Sequence, residues 1–503
     1  MVTPSSRTFT QSVTQAPAHA SRLHVLSAPA VGGLLAGGAS LAVYLLTLAP
    51  TVFSMDSAEL AAAAYSLGLV HGPGYSVYLL LGHLFTFLPL GDVAYRVNLL
   101  SAVAGAAMVG VLTTLACSIV RNGLAALLAG MALAFSYYAW SVSVVAEVYT
   151  LQGLLLVLVL GGLWRWTRQG GRFWLVLSSG ILALAAANNP SSLLWWPGLL
   201  LLITASPFRR GLRLRDIVPI GGAFLLGLLP LLYLPLRSQA LPAFVYVGEY
   251  DSLGTFRALD LTRPENLIWY LSGGQFAHLF PALDLGSLGL GIAGLLDGLW
   301  AAYLGVGFPL LLWGALSLWS RARPWALGLG LIGIGHAAFF VAYGAADKEL
   351  MFLPVYLISA VFLAAGIDAA GRILPRRSLL LGWLLPVGLL VVNRAFIDVA
   401  ESWHLRQEAQ SRLETSAPGA LYIAPWGDAA ILHYLQVVEG QRPDVEVANT
   451  FFVSDAILRG MIQAAHATGH AVYTSRGEVL KGMFPLRIVT DGFQVLPESR
   501  GGR

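Results

Sequence analysis

Apolar residues along most of this chain are grouped into continuous runs of membrane-spanning length. They lie near Gly32 to Leu48, Leu99 to Val120, Leu124 to Val142, Leu151 to Trp164, Phe173 to Ala187, Ser192 to Ala205, Ile217 to Leu234, Leu290 to Leu318, Trp325 to Tyr343, Leu350 to Ala365 and Leu379 to Val392. A helix needs roughly 20 residues to cross a bilayer. These eleven runs therefore predict a polytopic α-helical membrane protein in which a few short members tilt or re-enter. After Val392 the pattern changes abruptly. Short apolar strands then alternate with helical stretches: ALYIAP, DAAILHYLQVVEG, DVEVANT, SDAILRGMIQAAHATG and HAVYTS, followed by a hairpin pattern through LRIVTDGFQVL. Strand, helix, strand, helix, strand with continuous apolar strands predicts a parallel, three-layer α/β domain.

Three regions are thus expected: a polar lead at residues 1–30, a transmembrane domain at 31–395 and a soluble domain at 396–503. Arg22 before the first run gives it the look of a signal peptide. Its length and the lack of a small-x-small cleavage site favour an uncleaved first helix.

Composition agrees with the pattern. With 57% hydrophobic residues, 11% charged and a mean hydropathy of +0.71, the chain carries more apolar surface than a soluble core can cover. A net charge of +4 and a pI near 9.1 invite a nucleic-acid reading, but the placement of the charges explains them better. Every second connection bears arginine: Arg7 and Arg22, then Arg121, then Arg165, Arg168 and Arg172, then Arg209, Arg210, Arg213 and Arg215, then Arg321 and Arg323, then Arg372, Arg376 and Arg377. The positive-inside rule makes those connections cytoplasmic. The opposite connections hold Asp56, Glu59, Asp92, Glu147, Glu249, Asp251, Asp260, Glu265, Asp347 and Glu349. With a cytoplasmic start and an odd number of spans, the α/β domain is expected outside.

Several chemistries have no support. The α/β domain lacks a GxGxxG or P-loop, and the chain lacks CxxC, HExxH and GxSxG motifs. Cys117 stands alone inside a predicted span, where it reads as a small buried hydrophobe. The outer acids have the chemistry to bind Mg²⁺ or Mn²⁺, but no ligand spacing assigns a metal site. No cofactor is expected.

The first outer loop, SMDSAEL...VHGPGY...YRVNLL, is the most informative stretch. Asp56, Glu59, His71, Tyr75, Arg96 and Asn98 are too polar for lipid and too clustered for a plain connector. Asp56 and Glu59 have the D-x-x-E spacing of a capping box at the start of SAELAAAAYSLG. A carboxylate beside a helix N-terminus at a water–lipid boundary is also an oriented acceptor for a hydroxyl proton, as a general base must be. The two roles are compatible. His71 opens a turn that HGPGY demands, and Arg96 at the head of a span either snorkels or faces an anion. A second long outer loop, between Arg237 and Gly289, carries Trp269 and Tyr270 and predicts short interfacial helices with substrate contacts.

The stretch DSAEL...AYSLGLVHGPGYSVYLLLGHLF...LPLGDVAYRVNLLSA resembles the N-terminal signature of GT-C-type membrane glycosyltransferases, a group that includes the protein O-mannosyltransferases of the endoplasmic reticulum and bacterial relatives. AEVYTL (Ala146 to Leu151), YLPLRS (Tyr233 to Ser238), DKELMFLPVY (Asp347 to Tyr356) and EGQRPDV (Glu439 to Val445) extend the resemblance over most of the chain. It implies that Asp56 is the catalytic base of an inverting transfer. The sugar, mannose by resemblance, would pass from a polyprenyl-phosphate donor to a hydroxyl, with Ser or Thr of an exported protein favoured as acceptor. Nucleotide sugars are scarce outside the cytoplasm, so a lipid-borne donor also suits an apolar bundle with an outer loop.

A cation must receive the leaving phosphate, and Arg237 is the first choice, followed by Arg96 and Lys348. Glu147 and Tyr149 are placed to hold sugar hydroxyls, and Glu59, His71, Tyr75, Asn98, Asp347 and Glu349 complete the expected substrate-binding set. Two positions depart from the family pattern: HGPGYSVY replaces a more proline-rich HPPGYPLY, and NNP (Asn188 to Pro190) stands where a histidine is usual. Three other readings stay open: a lipid-linked sugar flippase, a scaffold or receptor, and a transferase acting on a glycan or lipid. The expected setting is the bacterial inner membrane, or the endoplasmic reticulum in a eukaryote, with the N-terminus cytoplasmic.

Overall fold

A computed structural model describes residues 29–497 apart from 55, 281–284 and 346. The polar lead expected at 1–30 lies outside the described residues except for its last two. Among the described residues, eight helices are long and apolar enough to cross a bilayer: Pro29–Leu46, Val93–Val120, Tyr149–Gln169, Leu214–Ala240, Leu285–Ala302, Gly307–Val341, Leu353–Ile373 and Arg377–Ile397. Four shorter apolar helices, Ser76–Phe85, Gly123–Ala134, Arg172–Asn188 and Pro190–Ala205, pack among them.

Two of the expected runs are re-cut by local backbone chemistry. The run from Leu290 to Leu318 breaks where Leu304 (φ 51°) and Gly305 (φ 68°) turn left-handed. Gly307–Val341 is itself bent at Ala322 (φ −147°, ψ 58°), two residues ahead of Pro324, which has no N–H to give the helix and crowds the preceding turn. Arg321 and Arg323 therefore sit at a corner. Elsewhere small residues let helices touch backbone to backbone: a β-carbon added at Gly314 would fall 1.8 Å from the Phe362 carbonyl. Leu353–Ala370 is the buried centre of the bundle, whereas Leu214–Gly227 and Leu285–Ala302 turn most of their surface outward.

The outer loops carry the short helix Pro264–Leu271, of the kind the loop composition predicts, and a small hairpin that it did not predict, β1 (Gly248–Tyr250) and β2 (Phe256–Ala258). The C-terminal region holds β3 (Leu421–Ala424), β4 (Glu446–Asn449), β5 (Val472–Thr474), β6 (Leu486–Val489) and β7 (Gly492–Val495) in the order β4-β3-β5-β7-β6. β3 is parallel to both β4 and β5, and β6 and β7 add the antiparallel hairpin. The chain crosses to one side of β3 through helix Trp426–Glu439 and to the other through Asp455–Ala467. Right-handed crossovers then put these helices on opposite faces, giving three layers. The motif EGQRPDV ends in a brace: the Arg442 guanidinium donates to the Leu413, Ser416 and Ala417 carbonyls and pairs with Asp444.

The α/β region is fastened to the first loop. Arg406 grips Glu439 with both arms and stands 3.8 Å from Asp92, and the Tyr434 hydroxyl accepts the Ala94 amide. Asp92 also caps helix Val93–Val120 through the Tyr95 amide and accepts from Thr51. These ties place the carboxyl end of β3, and Trp426 just beyond it, directly over Asp56 and His71.

Candidate active site

Helix Asp56–Ser66 starts at the acidic pair. Its alanine-rich body is buried, which fixes the helix and makes its first turn rigid. Beyond it, the HGPGY turn closes with the Gly74 amide on the His71 carbonyl, 3.0 Å. Gly74 has φ +95°, and a β-carbon there would lie 2.8 Å from the Tyr270 ring, so only glycine fits. The turn brings His71 back over the helix it left.

Glu59 is fully buried and holds His71 twice: Oε1 accepts the His71 backbone amide at 2.6 Å and Oε2 meets Nδ1 at 2.9 Å. The capping-box reading of Glu59 is thereby corrected, since its carboxylate faces His71 and not the helix start. On the other side of the ring, Nε2 is 3.2 Å from the Tyr75 hydroxyl and 3.7 Å from Asp56 Oδ2. Phe276 and Trp426 meet the ring edge-on at 5.4 Å each.

Burial opposes charge on His71, but Glu59 and Asp56 outweigh it and hold the imidazolium up to about 9. The Asp56 carboxyl is raised by burial and, secondarily, by Glu59, while the charge on His71 tempers the rise. Burial and Asp56 also lift Asp347, and burial with Asp56 and Asp347 lifts Glu147 well above the ordinary carboxyl range. Asp56, Glu59 and Asp347 thus act on one cationic base, and Glu147 joins them through Asp56 and Asp347. Two polar atoms here are buried without a hydrogen-bond partner, Glu147 Oε2 and Trp426 Nε1. One is an acceptor and the other a donor.

The remaining expected residues divide. Tyr149 is buried, within electrostatic reach of Asp347, Tyr75 and Glu147. Asn98 is buried as a staple: Nδ2 donates to the Ala49 and Thr51 carbonyls, and Ser57 at the start of helix Asp56–Ser66 donates to Oδ1. Arg96 is wholly engaged by the Leu90, Thr86 and Gly91 carbonyls, where it closes the loop end. Arg237 donates to the Leu67 and Ser66 carbonyls at the C-terminus of helix Asp56–Ser66. A guanidinium at a helix end satisfies orphan carbonyls, and that need has claimed both arginines. Lys348 is half-buried beside Asp347, its ammonium makes no hydrogen bond or ion pair among the described residues, and Glu349 is exposed. Asn188 is buried against the Tyr78 amide and Gln152, and Asn189 caps the following turn.

Sequence reasoning missed the walls. Trp426 and Phe276 frame His71, Gln275 accepts the Gly72 amide at 3.0 Å, and the Tyr270 hydroxyl donates to the Val70 carbonyl at 2.6 Å. Trp269 and Tyr270 marked that loop, but only Tyr270 reaches the turn, and no local signal marked Trp426. The fold also assembles what spacing did not suggest: donor atoms of Asp56, Glu59 and His71 within 4.8 Å of one another, a set able to hold a metal ion if the Glu59–His71 hydrogen bond opened.

Residues 56–210 match the family model for the "Protein O-mannosyl-transferase TMEM260 N-terminal domain". The chain is 33% identical over 224 residues, 43% of its own length, to the mouse protein O-mannosyl-transferase TMEM260. It is 25% identical over 126 residues, 24% of its length, to the Dictyostelium discoideum protein O-mannosyl-transferase tmem260. These matches span only 31% and 15% of the respective relatives. In three dimensions the chain resembles ArnT from Cupriavidus metallidurans, in the crystal structure bound to undecaprenyl phosphate (TM-score 0.59) and in the apo state (TM-score 0.58). Each pair is 14% identical and aligned over 92% of this chain and 97% of ArnT. The chain therefore shares the fold seen in ArnT.

Proposed function

We propose that this protein is an inverting glycosyltransferase that moves a sugar, mannose, from a polyprenyl-phosphate donor to an acceptor hydroxyl, that of Ser or Thr in an exported protein. The observation that carries this reading is the Asp56 carboxylate, 3.7 Å from an imidazolium that Glu59 clamps from behind, with the unpartnered buried groups of Trp426 and Glu147 nearby. The names of the sequence relatives favour mannose and a protein acceptor. The undecaprenyl phosphate in the ArnT structure favours a lipid-linked donor.

The acceptor oxygen attacks the anomeric carbon as the bond to the lipid phosphate oxygen breaks, and that oxygen leaves with the bonding electrons. Asp56 takes the hydroxyl proton, a role worth about 100- to 10,000-fold in rate for a positioned base. Burial suits Asp56 to this, because a raised pKa makes a stronger base, while His71 keeps it ionised. Glu59 is a positioning residue acting through His71. Lys348 is the cation left for the phosphate charge, with Arg237 and Arg96 committed to the loop's own carbonyls. Glu147 Oε2 and the Trp426 N–H are the groups that sugar hydroxyls would satisfy, since buried polar atoms otherwise find partners.

On this reading the acid cluster faces the exterior and the arginine-bearing ends face the cytoplasm. A flippase needs polar groups through its spans; His336, one of the few candidates, is packed with Nε2 donating to the Met351 carbonyl. The test is to incubate the purified chain with several polyprenyl-phosphate sugars and exported polypeptides, then locate the added mass. Hexose on Ser or Thr supports the reading. Transport without transfer, or transfer to lipid alone, refutes it.

A further inference from the structure

A cavity of about 890 Å³ opens at the end of the bundle opposite the acid cluster. The two are separated by helix Val93–Val120, whose 28 residues span about 42 Å. Arg121, Arg168, Arg321 and Arg372 line the cavity with a single carboxylate, Asp368. Asp368 is already saturated: Arg321 donates at 2.8 Å, Arg372 at 2.9 Å and Asn122 at 3.1 Å. Arginine stays protonated in proteins, so four cations against one anion leave the pocket with a net charge of +3. Arg121 and Arg168 have no carboxylate within ion-pair distance among the described residues; Arg168 lies over the Trp164 ring at 4.5 Å.

The rest of the lining is apolar. Leu127 and Leu318 are buried at its base, and Leu124, Leu380 and Trp383 continue it outward, with Leu380 exposed on the flank where lipid would lie. An inorganic anion would use a small part of this space, since cavities of about 300–1,000 Å³ bury a whole organic ligand. Arginines that only orient helices project separately toward the headgroups. These four come from the ends of four different helical segments and converge because the bend at Ala322 swings Arg321 onto Asp368.

We propose that this cavity seats one anionic phospholipid of the adjoining leaflet, its phosphodiester held between the arginine forks and an acyl chain laid along Leu124, Leu127 and Leu318. A phosphate ester on an apolar tail is the shared chemistry of phospholipids and polyprenyl phosphates. The phospholipid is favoured because this pocket lies at the end remote from the carboxylates that would act on a lipid-borne sugar. Basic pockets between transmembrane helices are suited to such headgroups.

The test uses the full chain in detergent, stripped of lipid and titrated by native mass spectrometry with phosphatidylglycerol, phosphatidylcholine, polyprenyl phosphate and inorganic phosphate. One phosphatidylglycerol should bind about tenfold tighter than phosphatidylcholine, and inorganic phosphate at equal concentration should not displace it. The double variant Arg121→Gln/Arg168→Gln, which leaves Asp368 paired, should weaken phosphatidylglycerol about thirtyfold and leave phosphatidylcholine unchanged. Should that variant fold poorly, a photoreactive phosphatidylglycerol on the unaltered protein should mark the segment from Arg121 to Leu127 or Trp383. Equal affinity for the two phospholipids, preference for polyprenyl phosphate, displacement by inorganic phosphate or labelling elsewhere would each overturn the proposal.

Discussion

The two ends of this bundle are electrostatic inverses. At one, the carboxyl groups of Asp56, Glu59 and Asp347 act on His71, with Glu147 beside them; at the other, Arg121, Arg168, Arg321 and Arg372 line one cavity with Asp368. In each, the minority charge is the best-held group, because its neighbours supply its ion pairs. The difference lies in what the majority can do. Buried carboxylates and an imidazole can exchange protons near physiological pH, whereas guanidinium groups cannot. The acidic end is therefore equipped for chemistry, and the basic end for permanent attraction.

Asp56→Asn breaks the acidic end most sharply. Turnover should fall by about 100- to 10,000-fold while the donor still binds, because the amide keeps the shape and loses the proton acceptor. Measuring single-turnover transfer beside equilibrium binding of a polyprenyl-phosphate sugar separates the two. Equal loss of binding and turnover would make Asp56 a structural residue.

Glu59→Gln comes next, because it removes a fully buried, doubly engaged carboxylate. A hydrogen bond to a charged group is worth about 1.5–3 kcal/mol, and a loss of that size should appear in the unfolding midpoint. The pH dependence gives the sharper signature. The folded protein holds His71 at about 9, above free imidazole near 6.5, so it keeps a proton that the unfolded chain releases. This stabilisation is complete below about pH 6.5 and is lost as pH rises through 9. The alkaline limb of kcat/KM should fall in the same range and move to lower pH in Glu59→Gln, since Glu59 is the largest of the charges supporting the imidazolium. An unmoved limb would detach His71 from the chemistry.

Asp368→Asn is the matching change at the basic end. Arg321 and Arg372 would lose their shared carboxylate, at about 1–3 kcal/mol of stability read by denaturation in detergent. The shape of the pH profile should stay fixed, because the guanidinium groups there keep their protons. A shifted profile would mean that the two ends communicate.

The sequence displays the acidic end far better than the basic one, for physical reasons. DSAEL and HGPGY are local: a helix start and a turn demanded by Gly74 put Asp56, Glu59, His71 and Tyr75 together over a short stretch. The alternation of strand and helix after Ala420 is equally local, and the sheet follows it. Arg96 and Arg237 look the same in sequence whether they bind a phosphate or a backbone carbonyl, and only the fold reveals that helix and loop ends have claimed them. Trp426, Phe276 and Gln275 reach His71 through tertiary contact alone. At the other end each arginine is visible as an orientation signal, but their convergence depends on a bend at Ala322 that Pro324 permits without specifying its direction.

The smallest expected effect bears on whether the α/β region takes part in the acidic chamber or merely covers it. Trp426 stands at the carboxyl end of β3, its ring edge-on to His71 and its buried N–H without a partner. Trp426→Phe keeps most of the aromatic wall and deletes that donor. If the N–H awaits a sugar oxygen, KM for the donor should rise about three- to tenfold, the range of one ordinary hydrogen bond of about 0.5–1.5 kcal/mol, with kcat and the unfolding midpoint little changed. A variant with an unchanged KM would reduce the region to a lid, and specificity would then rest on the membrane half of the site.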